Sequence, residues 1–179
     1  MENRNILTMK HTIFSVGIIL LAVLLRLLPH PANVAPIGAM ALFGGAYLPK
    51  RYALLLPIAA LFVSDIFLGF YSVMPFVYGS FVVIGLIGMW LASHKHIGTI
   101  LLASLVSSVL FFLITNFGVW VVGNGYPKTL AGLASCFFYA IPFFRNTLGG
   151  DVLYTGIFFG GFEVLSYTAR VSRIKAAGK

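Results

Sequence analysis

The stretch "IGTILLASLVSSVLFFLITNFGVWVV", Ile97 to Val122, contains no charged residue and exceeds the roughly 20 apolar residues needed to cross the hydrocarbon core of a bilayer. Its only polar side chains are small hydroxyls and one amide, so it offers no solvated face of the kind a helix in a soluble protein presents. The rest of the chain repeats this character. It has 179 residues, of which 60% are hydrophobic and 9% charged, and its mean hydropathy is +1.00. Those values lie far from a soluble globular domain and identify an all-α integral membrane protein. The length allows about six spans and little else, so residues 1–179 read as a single transmembrane domain.

Apolar runs bounded by Pro, Gly and charge predict spans over about 13–28, 36–48, 52–70, 75–93, 97–122 and 146–169. The second is short for a bilayer and is expected to tilt or to thin the membrane locally. Between the last two spans, "GNGYPKTLAGLASCFFYAIPFFR" is broken by Pro142. It reads as a loop followed by a short interfacial or re-entrant helix over 129–144, whose backbone must be buried by protein. The basic start and apolar core of residues 1–31 resemble a signal sequence. Arg26 interrupts that region before any small-residue cleavage site, so the segment is expected to remain as the first span.

Orientation follows from the basic residues. With the N-terminus inside, Arg4, Lys10, Lys50, Arg51, Lys95, Arg170, Arg173, Lys175 and Lys179 fall on the cytoplasmic side, and only Arg26, Lys128 and Arg145 on the other. A six-helix bundle with both termini in the cytoplasm therefore satisfies the positive-inside rule and fits the bacterial inner membrane. The net charge of +8 is thus a topology signal, and no nucleic-acid surface is implied. The single Cys136 forms no internal disulfide, and His94 and His96 flank Lys95 without an evident third metal ligand. No nucleotide-binding, zinc-protease or nucleophile-elbow motif is present, so neither an enzyme nor a cofactor is expected.

The polar residues at membrane depth carry the functional signal. In the six-span topology Arg26, His30, Asn33, Asp65, Asn116, Lys128, Arg145, Asn146 and Asp151 all fall on the outer half, where ionisable groups face protein or water rather than lipid. Thr147, Asp151, Tyr154 and Thr155 share one stripe of the sixth helix, and Ser104, Ser108 and Thr115 one stripe of the fifth. Facing each other, the two stripes would line an outward cavity. The plainer alternative pairs Asp65 and Asp151 with Arg26 and Arg145 as structural bridges. Glu163, near the inner end, is expected to contact Tyr167 and Arg170 locally. Gly156 and Gly160 form a GxxxG unit suited to helix packing, and "CFFYAIPFF" reads as an aromatic interface belt.

At "RLLPHPANVAPIGAMALFGGAYLPKRYALLLPIAALFVSDIFLGFY", and again at "FFLITNFGVW", "YPKTLAGLASC" and "AIPFFRNTLGGD", the chain resembles an uncharacterised bacterial family of membrane transport proteins. More distantly, the six spans, "PIGAMALFGGAYLPKR" and the Asp-bearing third span look like the substrate-binding S component of energy-coupling factor transporters. That resemblance implies a six-helix bundle holding a vitamin or related micronutrient in an extracellular-side cavity. It assigns "PHPAN", Asn116, Lys128, Arg145, Asn146 and Asp151 to the cavity region. It also implies an energising membrane module docked through small residues spaced i, i+4 on the first helix. Here Ser15, Gly17 and Ala22 lack that spacing.

The resulting expectation is an uptake protein in contact with membrane lipid and a small-molecule ligand. Arg26, Lys128 and Arg145 would hold anionic ligand groups, Asp65 and Asp151 would orient those bases, and Asn116 and Asn146 would supply neutral hydrogen bonds. The alternative is a non-transporting membrane scaffold or assembly factor with structural intramembrane ion pairs.

Overall fold

The computed structural model describes residues 36–177, residue 34, and residues 13, 16, 17, 19–21 and 23–28, with side chains as far as Val171. The described residues up to Leu27 are helical, and among the described residues there is no strand. The later helices are α1 (Ile37–Tyr47), α2 (Lys50–Ala53), α3 (Leu55–Leu68), α4 (Met74–Leu91), α5 (Ile97–Val122) and α6 (Leu130–Ala177). Among the described residues, four helical stretches are long and apolar enough to cross a membrane: Lys50–Leu68, Met74–Leu91, Ile97–Val122 and Leu130–Val171.

The centre of the bundle is α1. Pro36 starts it, and Leu48 ends it in extended backbone just before Pro49, so its 11 residues span only about 16 Å at 1.5 Å per residue. Every position except Gly38 and Tyr47 is buried. A helix apolar on all sides is a core helix, and α1 is enclosed by α3, α4, α5 and α6. Its tightest crossing is with α4. A Cβ built on Gly45 would lie 2.8 Å from Gly88 Cα and closer still to the Gly85 carbonyl oxygen, and one built on Gly88 would lie 2.9 Å from Gly45 Cα. Only glycine permits that backbone approach. On its other side the Phe43 ring meets Phe158, Phe159 and Phe162 edge-on, at centroid distances of 6.2, 5.4 and 5.6 Å.

Local sequence sets the remaining boundaries. Gly69, at φ 94°, ends α3 in a conformation that a side chain would strain, and its N–H donates to the Asp65 carbonyl at 2.8 Å. Pro75 opens α4, where no helical donor is needed. His96 and Thr99 form a reciprocal cap at the start of α5. At the far end of α5, Lys128 donates to the carbonyls of Trp120, Val121 (3.0 Å) and Gly123 (2.6 Å). These are acceptors that the helix end leaves open.

The segment 129–144 corrects the sequence reading. No separate interfacial helix and no re-entrant reversal occurs there: α6 runs unbroken for 48 residues with Pro142 inside it. Thr129 caps its start by accepting the Gly132 N–H at 3.2 Å. Pro142 removes one helical donor, whereas ending the helix in an apolar environment would free several backbone groups at several kcal/mol each. At about 72 Å, α6 is far longer than a hydrocarbon core of about 30 Å.

Polarity is distributed as lipid solvent demands. Phe67, Trp90, Ile97, Leu130 and Phe138 are exposed, while Ser64, Asp65, Ser104, Ser108, Asp151 and Thr155 are buried. The buried polar groups are brought together in the interior of the bundle.

Candidate functional site

A ladder of four contacts defines how α5 and α6 run. Cys136 Sγ donates to the Asn116 carbonyl (3.5 Å), the Phe144 ring meets Phe112 at a tilt (4.8 Å), Ser108 Oγ donates to Asp151 Oδ2 (2.7 Å) and Thr155 Oγ1 to Ser104 Oγ (3.2 Å). Residue numbers rise on α6 as they fall on α5, so the helices are antiparallel. The two polar stripes face each other, and at Ser104, Ser108, Asp151 and Thr155 they bond directly instead of standing apart. This register also moves Asp151: it lies opposite Ser108, at the middle of α5, rather than at the outer end of a span. On α1, Gly38 packs against the same carboxylate, since a Cβ there would lie 3.0 Å from Asp151 Cγ and closer to Oδ1. The carboxylate thus sits on a seam between α1, α5 and α6.

A second polar centre joins the N-terminal helical segment to α3 and α4. Arg26 Nη2 meets Asp65 Oδ1 at 2.6 Å, and Nη1 donates to the Leu61 carbonyl at 3.3 Å and to Ser64 Oγ. Tyr78 donates to the other carboxylate oxygen of Asp65 at 2.8 Å. Asp65 is fully buried and both its oxygens are engaged, which is what makes a buried ion pair tolerable. Among the described residues this is the one ion pair. Asp65 therefore follows the bridging alternative, and Asp151 does not pair with Arg145.

Between these centres lies a cavity of about 300 Å³. Its polar lining is Arg26, Tyr71, Thr147 and Asp151; Ile37 and Gly38, at the first turn of α1, and Phe81 and Phe111 supply apolar wall. An adjoining cavity of about 260 Å³ shares Val77, Phe111 and Thr147 and extends past Thr115, Asn116, Phe143 and Phe144 towards the Val122 end of α5. The first is termed the inner chamber and the second the vestibule; they meet at Val77, Phe111 and Thr147, and neither is fully enclosed. The first volume is at the small end of ligand sites, which run from about 300 to about 1,000 Å³, and the second falls just below that range.

The match to known sequence families covers residues 7–174, nearly the whole chain, and is to the family described as "Family of unknown function (DUF6580)". The chain belongs to DUF6580. No curated protein and no solved structure matches it.

The structure of this DUF6580 member divides the expected site residues. Arg26 and Asp151 line the inner chamber and Asn116 the vestibule, with Asp65 behind Arg26. Lys128 is occupied at the end of α5, while Arg145 and Asn146 are exposed and line neither cavity. His30 and Asn33 lie outside the described residues. Glu163 is corrected too: it accepts from Tyr47 Oη at 2.7 Å rather than from its own helix, and Lys95 Nζ lies 4.3 Å from the same tyrosine ring. A Cβ added at Gly156 or Gly160 would meet nothing within 4 Å, so the GxxxG unit packs no described helix. His94 stacks on Trp90, and the described residues hold no cluster able to bind a metal. Sequence reasoning missed Gly38, Tyr71, Tyr78 and Phe111. The available signal was the Ser64–Asp65 dipeptide inside an apolar run, with tyrosines soon after the turn that follows it.

Proposed function

We propose that the chain is a multi-pass protein of the bacterial inner membrane that captures a small nutrient from outside and moves it inward by alternating access. The reading rests on one observation: Arg26 and Asp151, drawn from opposite ends of the sequence, line the same cavity. Helix bridging needs paired charges; it needs no chamber beside them. In the proposed topology there are six spans, with α1 contributing the short second one, and both termini are cytoplasmic. The vestibule then opens from the outer side. The positive-inside balance supports this orientation, and the likeness to energy-coupling factor S components supports a vitamin or related micronutrient as ligand. The role proposed is non-enzymatic, and an energising module remains part of it as a partner.

The Arg26–Asp65 bridge favours a second reading, a non-transporting scaffold or assembly factor. A thermal-shift screen of vitamins and their precursors on the purified protein separates the two. Transport predicts that at least one compound stabilises the protein, that Asp151→Asn abolishes the effect, and that Arg145→Ala leaves it intact because that side chain lies outside both cavities. Stabilisation that survives Asp151→Asn removes Asp151 from the site. No stabilisation, together with full rescue of Arg26→Asp by Asp65→Arg, supports the scaffold.

A further inference from the structure

We propose that the inner chamber takes a small organic cation, an ammonium group on an apolar body, with Asp151 as its counter-ion. This rests on the chamber being the ligand site and adds the chemical class of what enters it.

The charges decide the sign. Among the described residues Arg26 is the one cation in the chamber lining, and a fully buried carboxylate neutralises it: Asp65 at 2.6 Å, with the Leu61 carbonyl at 3.3 Å and Ser64 taking further donors. An anionic ligand would have to compete with Asp65 for that guanidinium. Lys128 spends its donors on the end of α5, and Arg145 is exposed outside both cavities. None of the three basic residues expected from sequence to hold an anion is therefore available to one.

Asp151 stands differently. It is 5% exposed, it lines the chamber, and its hydrogen-bond donor is Ser108 at 2.7 Å. An ionised carboxylate accepts at about four positions, and among the described residues no cation lies within ion-pair distance of it. The first turn of α1, at Gly38, offers at most about half a positive charge. The chamber thus holds a buried carboxylate without a counter-ion among the described residues, and a cationic guest would supply the partner that its ionised form requires. The walls suit the same guest: Phe81 and Phe111, with ring centroids 5.3 Å apart, and Tyr71 present aromatic surface to an ammonium and to its apolar body.

Three probes with the same phenyl ring test the sign directly: benzylamine, benzyl alcohol and benzoate. Each is titrated against the protein in lipid nanodiscs, with thermal stabilisation as readout and Asp151→Asn as comparison. The amide keeps the acceptor for Ser108 and removes the charge. Benzylamine is expected to bind at least about tenfold tighter than benzyl alcohol, with benzoate weakest, because a hydrogen bond to a charged partner outweighs a neutral one by about that factor. Asp151→Asn should erase the advantage of the amine over the alcohol. The ranking within wild type stands even if that variant folds poorly. Equal binding of amine and alcohol, or preference for benzoate, overturns the cation and leaves the chamber as a ligand site. No binding of any probe overturns both.

Discussion

The α1–α4 crossing makes a prediction whose size follows from geometry. A Cβ on Gly45 would lie 2.8 Å from Gly88 Cα, about 1 Å inside the optimal carbon separation of about 3.5–4.0 Å. The obstacle is backbone on both sides, so no rotamer change relieves it; α1 must move away from α4. A gap of 0.5–1 Å forfeits about a quarter to a half of each contact along the line it opens. Since α1 is buried almost throughout, such a shift also disturbs Phe43 against α6. Overpacking of this kind costs about 1–3 kcal/mol. Gly156 is the control: a Cβ there meets nothing within 4 Å. Both Gly→Ala changes gain the same helix propensity, about 0.5–1 kcal/mol, so their difference isolates the packing strain. Equilibrium unfolding of the detergent-solubilised protein in SDS should place Gly45→Ala about 1–3 kcal/mol below Gly156→Ala, with Gly88→Ala resembling Gly45→Ala. Equal stability of Gly45→Ala and Gly156→Ala would refute the crossing.

Three other perturbations probe separate parts of the structure. Arg26→Ala strands the buried Asp65 carboxylate and should cost about 3–5 kcal/mol, whereas Arg26→Met combined with Asp65→Leu should recover most of that loss in the same unfolding assay. Tyr47→Phe loses the hydrogen bond to Glu163 but keeps its ring against Phe159 and Phe162, so it should lower stability by at most about 1 kcal/mol, and Tyr47→Ala by clearly more. In intact cells, with Cys136 replaced by Ser, a membrane-impermeant thiol reagent should label Gly125→Cys and spare Lys95→Cys; the opposite pattern would invert the proposed topology.

The membrane class, the helical ranges of α3 to α5 and the mutual facing of the Ser104/Ser108 and Asp151/Thr155 stripes were legible in the sequence, because apolar length and helical period suffice to find them. Depth was not. Asp151 reads as an outer-end residue if Pro142 is taken to end a helix, and lies opposite Ser108 once α6 is seen to continue through it. Partner choice was equally hidden. Asp65 had two basic candidates and took Arg26, and Glu163 bonded to Tyr47, 116 residues away, which no local spacing announces. The glycines show the same limit. Spacing draws the eye to Gly156 and Gly160, which face outward, while the close approach uses Gly45 and Gly88, whose significance depends on the opposing helix.

The central claim is that the chamber between Arg26 and Asp151 holds a small molecule. Thr147 lines both cavities, so Thr147→Phe should obstruct them without touching either charged centre. Native mass spectrometry of the protein, incubated with the compound that stabilises it best, should show one small-molecule adduct on wild type and none on an equally folded Thr147→Phe variant. The same adduct on both proteins, or none on either, would contradict the account.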